Sequence, residues 1–431
     1  MPRVLRSLTR EFTHHRELWI VFVTGVLLRA QYMLSTPLII RSYDTSGHVN
    51  YIIYVLKNWT LPPGTAGWEM HQPPLYYFLT ALWMKAKMVV LPSIGTWRSA
   101  QWFSVLISAL TLWMCLRIAR KVFPQPKQQI QALLFLGIMA VLPGIVFFSS
   151  RVSNDTLVTF FLFAFTASLL DWWQSGKDKD WYFCLAFLIL GILTKLSAGV
   201  ALPILLTCIW LRPGLHTAKR KHMTEGTLLI LFFCTAWSVG LRLQEGFVAP
   251  LVKPGLLGLN HALAVPLGIP QLLSFSPIRI LMTTYNNPWT DEFGRQFLWE
   301  FFFKSAFVGE WQFLGALRPL HQLMLAGGLF TLVLAIFGVV RDTRRKSLYR
   351  VPLLLTLGFG LLSVFVFHIL HSAGCTQDFR YVPQVAIPIG LYACMGLDAL
   401  SPEWKKISTI TLLTFCILCG IFLLSLSRAW F

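Results

Sequence analysis

Long apolar runs separated by short, mostly basic turns make up the pattern of this chain. The runs extend from Leu18 to Ile40, Trp97 to Leu116, Ile130 to Phe148, Tyr182 to Leu211, Thr227 to Leu241, Leu323 to Val340, Val351 to Leu370 and Thr411 to Leu424. About 20 apolar residues cross the hydrocarbon of a bilayer as a helix, and shorter ones cross when tilted or packed among neighbours. The expected fold class is an all-α polytopic membrane protein.

Placing Arg3, Arg6, Arg10 and Arg16 in the cytoplasm predicts about 11 crossings in a single transmembrane domain, residues 1–431. The first helix is read as a retained anchor, because no small-residue cleavage pattern follows it. Thr96–Leu116 then returns to the basic turn of Arg117, Arg120, Lys121 and Lys127, which leaves the apolar patch from Pro73 to Leu91 along the outer membrane face. Later crossings are expected at 129–148, 156–173, 227–242, 318–340, 351–370, 383–397 and 407–427. A helical pair, 181–195 and 198–213, makes a shallow excursion with Lys195 near its outer tip. The short outer turns and tail hold only Arg151, Arg380 and Arg428, as the positive-inside rule requires. Two long outer regions remain: 41–96, expected to carry interfacial amphipathic helices and the candidate catalytic residues, and 243–317, rich in aromatic and proline residues.

Composition agrees with a lipid environment. Only 13% of the 431 residues are charged, against about 25% in soluble domains. The 37 Lys and Arg exceed the 18 Asp and Glu, but they cluster between apolar runs, so membrane lipids and not nucleic acid are the implied partner. Seven of the eight cysteines fall in or beside predicted helices, and only Cys375 sits in an outer loop, so no disulfide framework is implied. No Walker A, GxGxxG, HExxH, CxxC or GxSxG pattern is present, which leaves a nucleotide-driven or Rossmann-based activity without a basis.

Chemistry is sought where ionisable residues meet the outer ends of the helices. Asp44, in RSYDTSGH, follows the first helix and is read either as a functional carboxylate or as a cap for the helix after it. His71 opens HQPPLYY, whose two prolines give a rigid start to the next apolar segment; it is read either as a satisfied interfacial histidine or, if placed beside Asp44, as its partner in a carboxylate–imidazole arrangement or a shared metal site. Arg151, Asn154 and Asp155 occupy an outer turn in which Arg151 can pair with Asp155. Lys195 has no carboxylate near it in sequence, so it must snorkel, pair across the fold, or meet an anion such as a phosphate. Arg380 and Tyr381 sit where a loop re-enters the bilayer, and Arg380 offers a fork to a phosphate or a local pair to Asp378. Asp291 and Glu292 in the second long region either bind polar substrate groups or keep the loop hydrated. Removing a proton from an acceptor hydroxyl is general-base work suited to Asp44, while Lys195 and Arg380 would stabilise a departing phosphate.

Asp44, His71–Tyr77 (HQPPLYY), Arg98–Ala100, Asn154–Asp155, Thr194–Lys195 and Arg380–Pro383 (RYVP) follow one another in an order that carries a resemblance. The chain resembles the integral-membrane glycosyltransferases of the GT-C superfamily, in particular the protein O-mannosyltransferases and the aminoarabinose transferases of lipid A. The wider acidic constellation of that family's first loop appears here no earlier than Glu69. The resemblance implies a GT-C type bundle and a polyprenyl-phosphate sugar as donor. It also implies a lipid, glycan or protein as acceptor. Asp44 would be the general-base or metal-associated residue with His71 as its partner, so a divalent metal ion, where one is used, would lie between these two. Arg98, Arg151, Asn154, Asp155, Asp291, Glu292 and Tyr381 would support the site or bind substrate. The expected location is a bacterial inner membrane with the site on its periplasmic face. A translocase of lipid-linked sugars and a non-catalytic assembly subunit are the competing readings.

Overall fold

A computed structural model describes residues 16–64, 66–90, 95–244, 261–313 and 315–426, the side chains of 96, 234–244 and 261 excepted. Arg3, Arg6, Arg10 and Arg428, and the stretch 245–260 of the second long region, lie outside the described residues. Among the described residues the secondary structure is helical throughout, with one isolated backbone bridge between Ala264 and Ala373.

Helix α1 spans Arg16–Leu34. It stops before Pro37 instead of reaching Ile40, because proline cannot donate to the preceding turn and disfavours helix in the residue before it. The first long region then forms α2, Thr45–Asn58, and α3, Leu75–Val90. Each buries one stripe, Gly47, His48, Tyr51, Ile52 and Val55 on α2 and Tyr76, Tyr77, Thr80, Ala81 and Met84 on α3. That spacing is the amphipathic helical pattern, and Leu82, Val89 and Val90 on the other side of α3 stay exposed.

Helix α4, Thr96–Val122, carries Arg120 and Lys121 in its last turn, where the helix dipole favours positive charge. Helix α5, Gln129–Val141, is broken before Pro143 and bends by 56° into the turns that end at Ser150. The break frees carbonyls that a continuous helix would have used. Buried Arg29 of α1 takes up two of them, donating to Met139 O at 3.1 Å and Ala140 O at 2.7 Å, and also reaches Ser108 Oγ at 2.9 Å. One guanidinium thus joins α1, α4 and α5.

Helix α6, Asn154–Ser175, is the most enclosed of the long apolar helices, with nearly every residue buried. Then follow α7, Asp178–Ile192; α8, Ala201–Leu211; α9, Thr217–Gln244; α10, Leu298–Val308; α11, Arg318–Arg345; α12, Arg350–Leu370; α13, Ala386–Gly396; and α14, Pro402–Ser425. Helices α11 and α13 approach so closely that a Cβ on Gly338 or Gly396 would run into the other helix's backbone, the small-residue contact that membrane helices favour.

Six of these helices are long and apolar enough to cross a membrane, and the bent pair ending at Ser150 makes a seventh. The other four expected crossings correspond to α7, α8, α9 and α13, helices that fall short of that measure of length and apolarity. Of these, α13 has 11 residues, or about 16 Å at 1.5 Å per residue, too short to span alone. It is walled in by other helices, with nine of its residues buried. The cysteines at 115, 184, 208, 375, 394, 416 and 419 are free thiols.

Candidate functional site

Three segments far apart in sequence meet at one end of the bundle. The backbone N–H of Leu75, which starts α3 after the paired prolines, donates to Leu193 O at 3.0 Å. Asn154, the first residue of α6, donates to Gln72 Oε1 at 3.2 Å and to Thr194 O at 3.3 Å. The HQPP turn, the start of α6 and the turn holding Lys195 are therefore one unit. Within it Lys195 forms a short ion pair with buried Asp155. The pairing of Asp155 with Arg151 that their spacing suggested does not occur. Arg151 instead donates to Arg41 O at 3.0 Å and lies over the rings of Tyr43 and Trp311, 4.5 and 4.8 Å from their centroids.

Arg380 sits in a 3-10 turn, Phe379–Tyr381, just before the chain re-enters the bundle. Its guanidinium is stacked 3.6 Å from the centroid of Tyr43 and donates to Tyr381 Oη at 3.2 Å, while its buried Nε has no partner. The local ion pair with Asp378 is not formed. Asp378 accepts from the backbone N–H of Arg380 at 2.7 Å and from Tyr43 Oη at 2.7 Å, so it fixes the turn and the ring and leaves the guanidinium charge uncompensated by that carboxylate. The Lys195 ammonium is 5.4 Å and the Arg380 guanidinium 5.1 Å from the centroid of the Tyr381 ring, so both cations lie against one tyrosine.

Asp44 is exposed, and its charge acts on His48 and Glu69, as those of Lys195 and Arg380 do. It occupies the N-cap position of α2, yet its side chain caps nothing and its backbone is left-handed, φ 49°. A local cap is thus not its role. Its carboxylate accepts from the indole N–H of Trp68 at 3.0 Å. Left-handed backbone at a residue with a Cβ is strained, and such strain gathers at functional sites. Arg41 and Glu69, with φ of 50° and 69°, share it.

An imidazole that faces an acid here is that of His48. His71 Nε2 lies 3.4 Å from Gln72 Nε2. His48 Nδ1 is 2.9 Å from Tyr77 Oη and 4.0 Å from Glu69 Oε2. Tyr77 is stacked on Tyr51 at 3.6 Å between centroids. Burial pulls His48 down to about 4, so the ring is neutral. Burial, reinforced by the charge of Asp44, pushes Glu69 up to about 7. Glu310, from the second long region, has one enclosed carboxyl oxygen without a partner, and burial raises it toward the neutral form.

The remaining predicted residues lie around this core. Arg98 donates to Met33 O at 2.8 Å and Gln101 Oε1 at 3.0 Å, so it secures the end of α1 against α4. Asp291 pairs with Arg295 and, like Glu292, is exposed, so the structure gives neither a contact with Lys195 or Arg380. No group of three or more His, Cys, Asp and Glu among the described residues is arranged to hold a metal ion. Sequence reasoning missed Tyr43, His48, Tyr77 and Glu310. The RSYDTSGH and HQPPLYY motifs contained the first three, but only as neighbours of the residues singled out.

Residues 71–239 match the family model described as dolichyl-phosphate-mannose-protein mannosyltransferase. No curated protein matches the chain in sequence. Among solved structures, the Archaeoglobus fulgidus oligosaccharyltransferase, in complex with Zn and sulfate, matches 94% of this chain and 53% of its own at 14% identity and a TM-score of 0.53. ArnT from Cupriavidus metallidurans in the apo state matches 90% of this chain and 61% of its own at 15% identity and a TM-score of 0.51. The chain thus spans between half and two thirds of the length of these structures. Its transmembrane bundle is of the GT-C type, and it is an integral, multi-pass membrane protein.

Proposed function

We propose, with the GT-C type bundle as premise, that this chain transfers a sugar from a polyprenyl-phosphate donor to an acceptor hydroxyl at the non-cytoplasmic face of its membrane. The observation that carries the reading is an uncapped, strained carboxylate, Asp44, whose charge acts on the same two side chains, His48 and Glu69, as the charges of half-buried Lys195 and buried Arg380 do. An isolated cluster of this kind is costly near lipid unless a ligand uses it.

In the proposed reaction the acceptor oxygen attacks the anomeric carbon as its proton passes to Asp44. The bond from that carbon to the phosphate oxygen breaks, and the electron pair leaves with the phosphate. The growing negative charge falls between Lys195 and Arg380, which stabilise it more than they stabilise the bound donor. Asp155 orients Lys195, and Tyr43 and Tyr381 hold the Arg380 guanidinium, whose buried Nε has no protein partner. Direct attack inverts the anomeric configuration.

The prenyl tail needs an apolar path that starts beside the phosphate. A cavity of about 520 Å³ lies between α5, α10, α11 and α13, lined among others by Phe302, Phe307, Leu332, Ile389 and Phe379, the residue before Arg380 in the chain. Apart from Thr331 and Tyr392 its lining is apolar, as a lipid chain requires.

The purified protein, incubated with a panel of polyprenyl-phosphate sugars and acceptors, is expected to release polyprenyl phosphate, followed by mass detection. Donor binding without any release would favour a translocase of lipid-linked sugars and overturn the transfer reading.

A further inference from the structure

We infer that Tyr43 is a positioning residue that sets the separation of Asp44 from Arg380. The inference rests on the transfer reading, which gives those two groups opposite ends of the reaction. Transfer in one step needs the proton acceptor and the phosphate-holding cation at a spacing that matches the sugar between them, and a misplacement of about 1 Å costs on the order of 10²-fold. Asp44 and Arg380 belong to segments remote in sequence, so a contact between those segments has to fix the spacing.

Tyr43 makes such a contact across 335 residues. Its backbone is bonded to that of Asp44, with about 3.8 Å between consecutive Cα atoms, and its side chain reaches the Arg380 turn twice. The phenol donates to Asp378 Oδ2 at 2.7 Å, and the Arg380 guanidinium lies 3.6 Å from the ring centroid. Asp378 takes the backbone N–H of Arg380 on its other oxygen, also at 2.7 Å. One buried carboxylate thus fastens the residue before Asp44 to the backbone of Arg380.

The link is useful only if both of its ends are stiff, and they are. On the Arg380 side, the N–H of Phe379 donates to Ser305 Oγ at 2.8 Å, and Gln377 Nε2 donates to Arg295 O at 2.6 Å. On the other side, Arg41 and Asp44 flank Tyr43 with left-handed backbone, φ 50° and 49°. Strain of that kind persists only where the surroundings over-determine it. Arg151 supplies part of that constraint by bonding Arg41 O while packing against the Tyr43 ring. Trp311 adds to it, its ring 5.1 Å from that of Tyr43 between centroids. Gly309 lets this indole fold back over the chain: its φ is 62°, and a Cβ there would lie 2.1 Å from Trp311 Cζ3. Packing among these groups needs only an aromatic ring. The hydroxyl is what ties the ring to Asp378, so removing it separates positioning from packing.

The test measures equilibrium donor binding and the single-turnover rate of transfer at saturating donor for the wild type, Tyr43→Phe, Asp378→Asn and the double variant. Asparagine has one acceptor oxygen for the two donors that Asp378 serves, so it breaks the same link from the other end. Each single variant is expected to lower the single-turnover rate by about tenfold and to leave the donor Kd within about twofold, because the cations that hold the phosphate remain. The double variant should be no slower than the slower single one, since both changes cut one connection. A wild-type rate in Tyr43→Phe or in Asp378→Asn, losses that multiply in the double variant, or a rate loss matched by an equal loss of donor affinity overturns the inference and leaves the transfer reading in place. A wild type that transfers no sugar removes the transfer reading and this inference with it.

Discussion

The two ends of helix α6 hold the same kind of interaction in opposite settings. Asp155 begins the helix and pairs with Lys195, and Asp171 near its other end pairs with Arg117 and Lys121. At 1.5 Å per residue they are about 24 Å apart. The Asp155 side chain is 3% exposed, whereas that of Asp171 is 24% exposed. Other pairs at the Asp171 end, Lys219 with Asp178 and Lys405 with Asp398, are also open to solvent. Exposed pairs contribute little to stability, and buried ones often contribute no more than an apolar pair would. On the transfer reading, what sets the Asp155 end apart is its use: the open end follows from orientation in the membrane, and the buried end serves the proposed chemistry.

Substitutions separate the two ends. The largest effect is expected for Asp44→Asn, which keeps the shape but cannot take a proton. Transfer should fall by about 10³-fold, within the range of general-base catalysis, with insertion and folding intact. Steady-state assay of the purified variant checks this, and near-normal transfer would remove the base role. Lys195→Ala and Arg380→Ala should each lower kcat/KM by about 10²-fold through lost stabilisation of the leaving phosphate. Unchanged donor saturation in either variant removes that residue from the phosphate site.

A smaller loss, roughly tenfold, is expected for Gly47→Ala, because a shift of the Trp68–Glu69 turn moves the indole that bonds Asp44 by a fraction of an ångström. A Gly47→Ala enzyme with the wild-type rate would show that the close approach is incidental.

At the foot of the scale, Asp171→Asn should leave transfer unchanged and alter stability by less than about 1 kcal/mol. A marked loss of activity there would erase the distinction between the ends.

Much of this was legible in the chain because the bilayer restricts the choices. Apolar runs must be helical, since lipid offers no partners for free backbone groups, and the expected helices are present even where α13 is too short to cross alone. Candidate residues such as Asp44, Lys195 and Arg380 drew notice as ionisable groups beside apolar runs. Their partners did not. Lys195 meets Asp155 across 40 residues, and Arg380 meets Tyr43 across the whole bundle, so no local spacing points to either. His48 looked like one more residue of an amphipathic helix until the fold set it against Glu69 and Tyr77. The turns that carry Asp44 and Glu69 are left-handed at residues other than glycine, a conformation that sequence patterns do not announce.

Equilibrium binding of a labelled polyprenyl-phosphate sugar to the wild type, to Asp44→Asn and to a Lys195→Ala, Arg380→Ala double variant, read together with release of lipid phosphate, tests the division of labour between the two sides of the site. The account predicts that Asp44→Asn binds the donor as the wild type does and releases lipid phosphate about 10³-fold more slowly, while the double variant loses binding. Wild-type release by Asp44→Asn, or undiminished binding by the double variant, would contradict it.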